Sequence, residues 1–491
     1  MTPINPHHAR RWTILCFLAL AQLMVVLDAT IVNIALPSAQ RALHFANSER
    51  QWIVTAYALA FGSLLLLGGR ISDLFGRKWT FIGGLAGFAI ASAVGGAAQS
   101  FGMLVASRTF QGAFGALLAP AAMSLLTTTF ADGSERNKAF GIWGAIAGSG
   151  ASIGLILGGV LTQTLSWRYS MYVNLVFATI AIAGALSLIH NEAPTVKPKL
   201  DMPGVLTVSA GLFSLVFGFS HAETTSWGNH TTLGFLVAGA LLLAMFTVIQ
   251  SRSEHPLLPL RVVTNRNRAA SFLTIGVAGS AVFAVFLFLT YYLQQGRGYS
   301  PVATGVAFLP MTAAVMISAI VATTKLRARF GPRPLIVTGM ALGATGMLYL
   351  TRLGIDSSYA TAILPALVAI GVGLGLAMSS AMNSATLGVR PADAGVASAT
   401  VSASQQVGGS LGTALLSTVA TSALTSYVLS AHAHPTRPRL AHAAVHGDTT
   451  AFAWAAAIFA IGAIITGALF ERGTKALEVE IEPGAAPALA H

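Results

Sequence analysis

Apolar stretches of about 20 residues recur from one end of the chain to the other, divided by short polar punctuation, and a membrane-crossing helix needs roughly that length. No other feature of the sequence restricts the fold so severely. In hydrocarbon every backbone N–H and C=O must find its partner inside the protein, which leaves only helices and closed barrels. The alternation over ~10-residue strands that marks a barrel is missing. The sequence therefore predicts an all-α polytopic membrane protein. Composition agrees, since 54% of the 491 residues are hydrophobic and 9% charged, against about 25% charged in soluble proteins.

Hydropathy divides the chain into fourteen expected spans: 12–36, 51–69, 80–99, 102–125, 138–162, 168–190, 203–220, 231–250, 270–293, 302–323, 334–351, 361–386, 397–421 and 451–470. With the loops numbered alternately from the N-terminus, most of the 28 Lys and Arg residues fall on the N-terminal side. Only Arg41, Arg50, Arg168, Arg297, Arg352, Arg437 and Arg439 lie opposite, and Arg108 alone falls inside a span. Positive charge is retained in the cytoplasm, so both termini are expected inside. The net charge of +12 is thus a topology signal with some pull on anionic lipid, and a nucleic-acid footprint is excluded. The basic start MTPINPHHARRW runs into the first span without a small-residue cleavage pattern, so it reads as a retained helix. A single cysteine, Cys16, excludes an internal disulfide. No G-x-x-x-x-G-K-[ST] loop is present, so the chain carries no ATPase motif.

The two halves echo each other. The second span leads into GGRISDLFGRKWTF and the tenth into TTKLRARFGPRPLI, while the fifth (GAIAGSGASIGLILGG) and thirteenth (SQQVGGSLGTAL) are both glycine-rich. Related halves around a site near the midplane mark a secondary transporter. The expected organisation is an N-terminal six-helix bundle over 1–192, two inserted helices over 193–266, a C-terminal six-helix bundle over 267–472, and a disordered cytoplasmic tail over 473–491.

Among the 16 acidic residues, the spans leave Asp28 as the one carboxylate well inside a helix; Asp448 is assigned to an outer loop or span end. Asp28 lies about 12 Å from the outer end of its span and Arg108 about 9 Å from the outer end of the fourth, at 1.5 Å per residue. The two intramembrane charges are therefore level. An opposite charge favours the ionised carboxylate and desolvation disfavours it, so an acid caught between them can take up and release a proton as its surroundings change. Intramembrane ionisable residues are functional by default; the plainer reading is a static buried pair, or a cap at a break in the first helix.

In GGRISDLFGRK, Gly69 and Gly76 suit tight turns, Asp73 can answer a helix N-terminus or an arginine, and Arg70, Arg77 and Lys78 hold the loop inside. Gly150, Gly154 and Gly158 recur every fourth residue on one face of the fifth helix, a pattern for close helix packing. Trp52, Tyr57, Gln111, Phe114, Trp143, Tyr291, Tyr292 and Gln294 are candidates to line an apolar cavity. His432, His434, His442 and His446 are too loosely spaced to specify a metal site, and the segment reads as a surface loop; no metal or organic cofactor is expected.

With these strings in view, the chain resembles, over essentially its whole length, the 14-helix drug:proton antiporter branch of the major facilitator superfamily. LDATIVNIALP, residues 27 to 37, matches the first-helix motif of that branch, GRISDLFGRK its loop motif with Ile71 for Leu, and RTFQG its fourth-helix motif; SWRYSMYVN and YYLQQGRGYSPVATGVAFLP resemble its segments opening the sixth and spanning the ninth and tenth helices. The resemblance implies a coupling role for Asp28, a proton-transfer and cavity role for Arg108, Gln111 and Gly112, and a conformational latch at Gly69, Asp73, Gly76, Arg77 and Lys78. It also places Asn33 beside Tyr57, Gln111, Phe114, Trp143 and Tyr291 among the cargo-binding candidates, and Gly150, Gly154, Gly158 and Gly159 in the antiporter motif. One departure is Leu155, where the branch usually carries proline. The expectation is a monomeric exporter of amphipathic compounds in the cytoplasmic membrane, driven by the proton gradient at one proton per cycle, in contact with lipids and with no nucleic acid. A proton-linked importer, a dedicated metabolite exporter and a non-transporting sensor or lipid-handling protein on the same fold stay open as alternatives.

Overall fold

The computed structural model describes residues 10–47, 49–130, 133–190, 201–254, 256–387, 389, 394–430 and 436–471; the expected tail lies outside them. Its long helices are α1 (Arg11–Leu43), α2 (Arg50–Phe75), α3 (Arg77–Gly96), α4 (Phe101–Thr129), α5 (Gly133–Thr164), α6 (Tyr169–Leu188), α7 (Met202–Thr224), α8 (His230–Arg252) and α9 (Arg266–Tyr291). They continue with α10 (Pro301–Ala307 and Leu309–Val321), α11 (Pro332–Leu350), α12 (Leu364–Thr386), α13 (Ala394–Leu429) and α14 (Arg437–Leu469). Among the described residues, eleven helices are long and apolar enough to cross a membrane. The predicted spans in α2, α5 and α11 are not among them; in α5 the described apolar stretch is Ile153–Thr164.

Two boundaries move in ways that matter. Helix α1 runs through Pro37 to Leu43, well past the predicted end at 36, because a proline removes one helical hydrogen bond without always ending the helix. Helix α14 begins at Arg437, so much of the predicted surface loop is helical and Asp448 lies inside α14, 8% exposed. The assignment of Asp448 to a loop or span end is therefore corrected.

Two apolar cores carry the fold. One collects Leu18, Phe61, Phe81, Phe88, Leu118 and Trp143 from the first half of the chain. The other collects Ile275, Phe288, Phe308, Leu367 and Phe459 from the second, together with Ile34 and Leu155 from the first. A third joins Leu36, Val54 and Trp167 to Leu287 and Tyr291 of α9, at the end of the molecule that carries the α1–α2 link. Outward-facing residues such as Ile90, Phe110, Val176, Leu241, Ile317 and Ile464 are exposed; in water so much apolar surface is an aggregation liability, and in lipid it is the proper coat.

The sequence echo between the halves has structural counterparts. Gly76 (φ 89°) precedes α3 and Gly331 (φ 76°) precedes α11, both in backbone that glycine adopts without steric cost. Gly150, Gly154 and Gly158 of α5 face Val26, Thr30 and Ile31 of α1, while Gly408 and Gly412 of α13 face Gly276 and Ser280 of α9. Helix α7 touches both halves, since Ser209 Oγ donates to Ser63 O of α2 at 3.2 Å and Thr418 Oγ1 of α13 donates to Phe219 O at 3.0 Å.

A close approach to backbone in the first half is at Gly68, where an added Cβ would stand 2.0 Å from Ala116 O of α4, whereas at Gly83 it would meet nothing within 4 Å. Gly68→Ala is expected to destabilise by about 1–3 kcal/mol through forced backbone displacement. Thermal unfolding in detergent should show a clear drop for Gly68→Ala and no loss for Gly83→Ala.

Candidate functional site

Asp28 is completely buried, and two helices besides its own supply its partners. Its Oδ2 accepts from Arg108 Nη1 of α4 at 2.6 Å, and its Oδ1 accepts from Gln111 Nε2 at 3.0 Å and from Asn174 Nδ2 of α6 at 2.7 Å. Ser92 Oγ of α3 accepts from both amides, at 2.6 Å from Gln111 and 3.3 Å from Asn174. A buried ionised carboxylate is tolerable only when paired and hydrogen-bonded, and both conditions are met. Charge-assisted bonds of this kind are roughly twice as strong as neutral ones.

Arg108, 1% exposed, has more than one partner. The same Nη1 donates to Gln111 Oε1 at 2.8 Å, Nε donates to Ile53 O at 3.2 Å, and the guanidinium lies 4.4 Å over the ring of Tyr57. Placing Arg108 and Gln111 three residues apart puts them on one face of α4, so a single helix supplies both the cation and the amide. Tyr57 Oη, Asn33 Oδ1 and Asn174 Oδ1 are buried without a hydrogen-bond partner among the described residues.

Asp28, Arg108, Gln111 and Tyr57 come together in one cluster. Asn33 lies further along α1, its Nδ2 donating to Ala29 O at 2.8 Å. Phe114 packs beside Gly87 of α3, and Trp143 is buried in the first-half core. Tyr291 is in a different place, beneath the guanidinium of Arg50 at 4.3 Å. Of the residues expected to form a latch, Gly76 is the α2–α3 turn, Lys78 Nζ donates to Leu186 O at 3.2 Å, Arg70 Nη2 donates to Pro256 O at 3.0 Å, and Gly69 and Arg77 are partly buried; the side chain of Asp73 lies outside the described residues. Gly159 faces Pro301 O and Val302 of α10, and Gly305 of α10 faces Leu155 O, so the segment bearing the proline-to-Leu155 departure packs directly against the second half.

Ser92 and Asn174 are absent from the sequence-based candidates. Asn174 left a signal, as an amide inside an otherwise apolar span within the quoted SWRYSMYVN. Ser92 left none, being one small residue in IASAVGG. His442 and His446 are exposed on α14, His432 and His434 lie outside the described residues, and no group of three metal-ligating side chains occurs among the described residues.

Comparison with known proteins follows the same lines. A family model described as Major Facilitator Superfamily matches residues 18–413. The chain is 45% identical over 472 residues to the puromycin resistance protein pur8 of Streptomyces alboniger, covering 96% of this chain and 93% of that protein. It is 36% identical over 416 residues to the tetracenomycin C resistance and export protein of Streptomyces glaucescens, covering 84% and 77%. A solved bacterial homolog of the human lysosomal transporter Spinster, in an inward-facing, unoccupied conformation, superposes with a TM-score of 0.65 at 16% identity, covering 94% and 96%; it shares the fold.

Removing one member of a buried ion pair leaves an uncompensated charge, at a cost of about 3–5 kcal/mol, whereas replacing both with apolar side chains is often neutral. Arg108→Met should therefore lower the unfolding temperature strongly, and Asp28→Leu combined with Arg108→Met should recover most of the loss.

Proposed function

Because the chain belongs to the Major Facilitator Superfamily, we propose that it exports amphipathic antibiotics or drugs from the cell across the cytoplasmic membrane in exchange for protons, with Asp28 as the coupling acid. The observation that carries this reading is the set of partners around Arg108. When Asp28 takes up a proton, the guanidinium loses its carboxylate but keeps Gln111 Oε1, Ile53 O and the Tyr57 ring. The cation is not stranded, so the acid can change charge without breaking the helix packing. A pair with no such reserve would be a static strut.

In the proposed cycle, a proton from outside neutralises Asp28 as cargo leaves, and the proton is lost inward as new cargo enters. The unpartnered Tyr57 Oη, Asn33 Oδ1 and Asn174 Oδ1 give a polar cargo group places to bind within an apolar surround, the usual make-up of a small-molecule site. Gln111 and Asn174 orient the carboxylate. Arg70, Arg77 and Lys78 support a cytoplasmic position for the α2–α3 turn, with the Asp73 loop as the latch between bundles 1–192 and 267–472 and with 193–266 as the insert. The names of the resistance and export relatives support antibiotics as cargo; the proton gradient is the energy source, no cofactor is required, and one chain suffices.

The test is transport in proteoliposomes under an imposed proton gradient, with puromycin and an amphipathic dye as probes. The wild-type protein is expected to move both against their gradients. Asp28→Asn should bind them and fail to concentrate them, and Asn174→Ala should transport more slowly. Undiminished gradient-driven transport by Asp28→Asn sinks the coupling role, and no gradient-dependent flux in the wild type favours the sensor alternative.

A further inference from the structure

A second buried acid and base meet where the halves of the chain join. Arg50 opens α2 in the first half, Asp448 lies inside α14 in the second, and Arg50 Nη2 stands 3.9 Å from Asp448 Oδ1 with both side chains largely shielded from solvent. The guanidinium is held over two rings of α9, at 4.3 Å from Tyr291 and 5.6 Å from Phe288. Both rings are buried. Arg50 thus reaches across the junction and touches two helices of the other half.

The surrounding contacts make this a seam. At the same end of the molecule Gln294 Nε2 donates to Ile34 O at 3.0 Å and Ser410 Oγ donates to Thr55 O at 3.3 Å. These are neutral bonds between side chain and backbone. The Arg50–Asp448 pair is the charged member among the described contacts of this seam, and its 3.9 Å separation, longer than a direct charge-assisted hydrogen bond, leaves it easier to part than the Asp28–Arg108 bond.

We propose that Asp448 is a second proton-binding site, distinct from Asp28, and that its protonation releases Arg50 and opens this end of the carrier. The step adds one proton to the carboxylate and breaks the ion pair; Arg50 stays charged and, as the seam parts from Tyr291 and Phe288, it is solvated by the water that enters this end. Loss of that proton re-forms the pair and closes the seam. On the topology proposed above this end faces outside, so the inference rests on that reading for its direction. The other titratable and charged groups around Asp448 are Tyr291 of α9 and Tyr292 just after it, the Arg297–Asp356 pair acting on Tyr292, and His446 on its own helix, whose ring lies 5.2 Å from that of Tyr427 on α13. Of these, His446 is the rival proton acceptor, and it is exposed.

The experiment measures the distance between spin labels at Ala46→Cys and Ser358→Cys, on the α1–α2 and α11–α12 links, in a full-length Cys16→Ser background without cargo or gradient. Acidification is expected to shift the wild-type protein from a short to a long distance. Asp448→Asn should hold the long distance at every pH, with the closed-to-open ratio lowered about tenfold, the scale of a typical coupling between sites. The charge-swapped Arg50→Asp with Asp448→Arg should regain the short distance, while His446→Gln should keep the wild-type shift. A wild-type shift in Asp448→Asn, or its disappearance in His446→Gln, overturns the proposal. Because the readout needs no transport, failure of proton-driven efflux leaves this result standing, and the reverse holds equally.

Discussion

The bond between Asp28 and Arg108 is the constraint around which the first half of the molecule is organised. Two charges placed in hydrocarbon are expensive unless each is paired and its remaining hydrogen-bonding capacity is filled. Meeting that demand draws in Gln111 from α4, Ser92 from α3, Asn174 from α6, and Ile53 and Tyr57 from α2. Helices α1, α2, α3, α4 and α6 are thereby held around one polar point in an otherwise apolar core. The same arrangement that satisfies the charges also leaves the cation with partners when the acid is neutral, which is what the proposed coupling role requires.

Glycine does the complementary work away from the charges. Without a strong hydrophobic drive between helices in lipid, close backbone approach and van der Waals contact hold them together. Gly68 against α4, Gly154 and Gly158 against α1, and Gly408 against α9 are such approaches. Gly159 and Gly305 differ, because they bring α5 and α10 together across the two halves. That contact is one a carrier working by alternating access must make and release.

The helical class, the membrane medium and the pairing of Asp28 with a level Arg108 were legible because each follows from a strong local signal: long apolar runs, and lone charges inside them. Ser92 was not, since a serine among small residues in a span carries no mark until a neighbouring helix brings an amide to it. Asp448 was misplaced for a definite reason. HAAVHGDTT is polar enough to read as loop, yet α14 begins at Arg437 and packs this stretch against α13, with Gly447 close to Ala420 O. Burial there is set by tertiary packing, which hydropathy along one chain does not register. The expectation of a single coupled proton rested on that misplacement, and a second buried acid reopens it.

The central claim is that cargo and proton compete through Asp28. The most direct measurement is proton release on cargo binding, followed with a pH indicator in weakly buffered detergent solution as puromycin is titrated into the purified protein. The account predicts that binding releases protons from the wild-type protein and releases none from Asp28→Asn at matched occupancy. Equal release from both proteins, or none from the wild type at full occupancy, would contradict it.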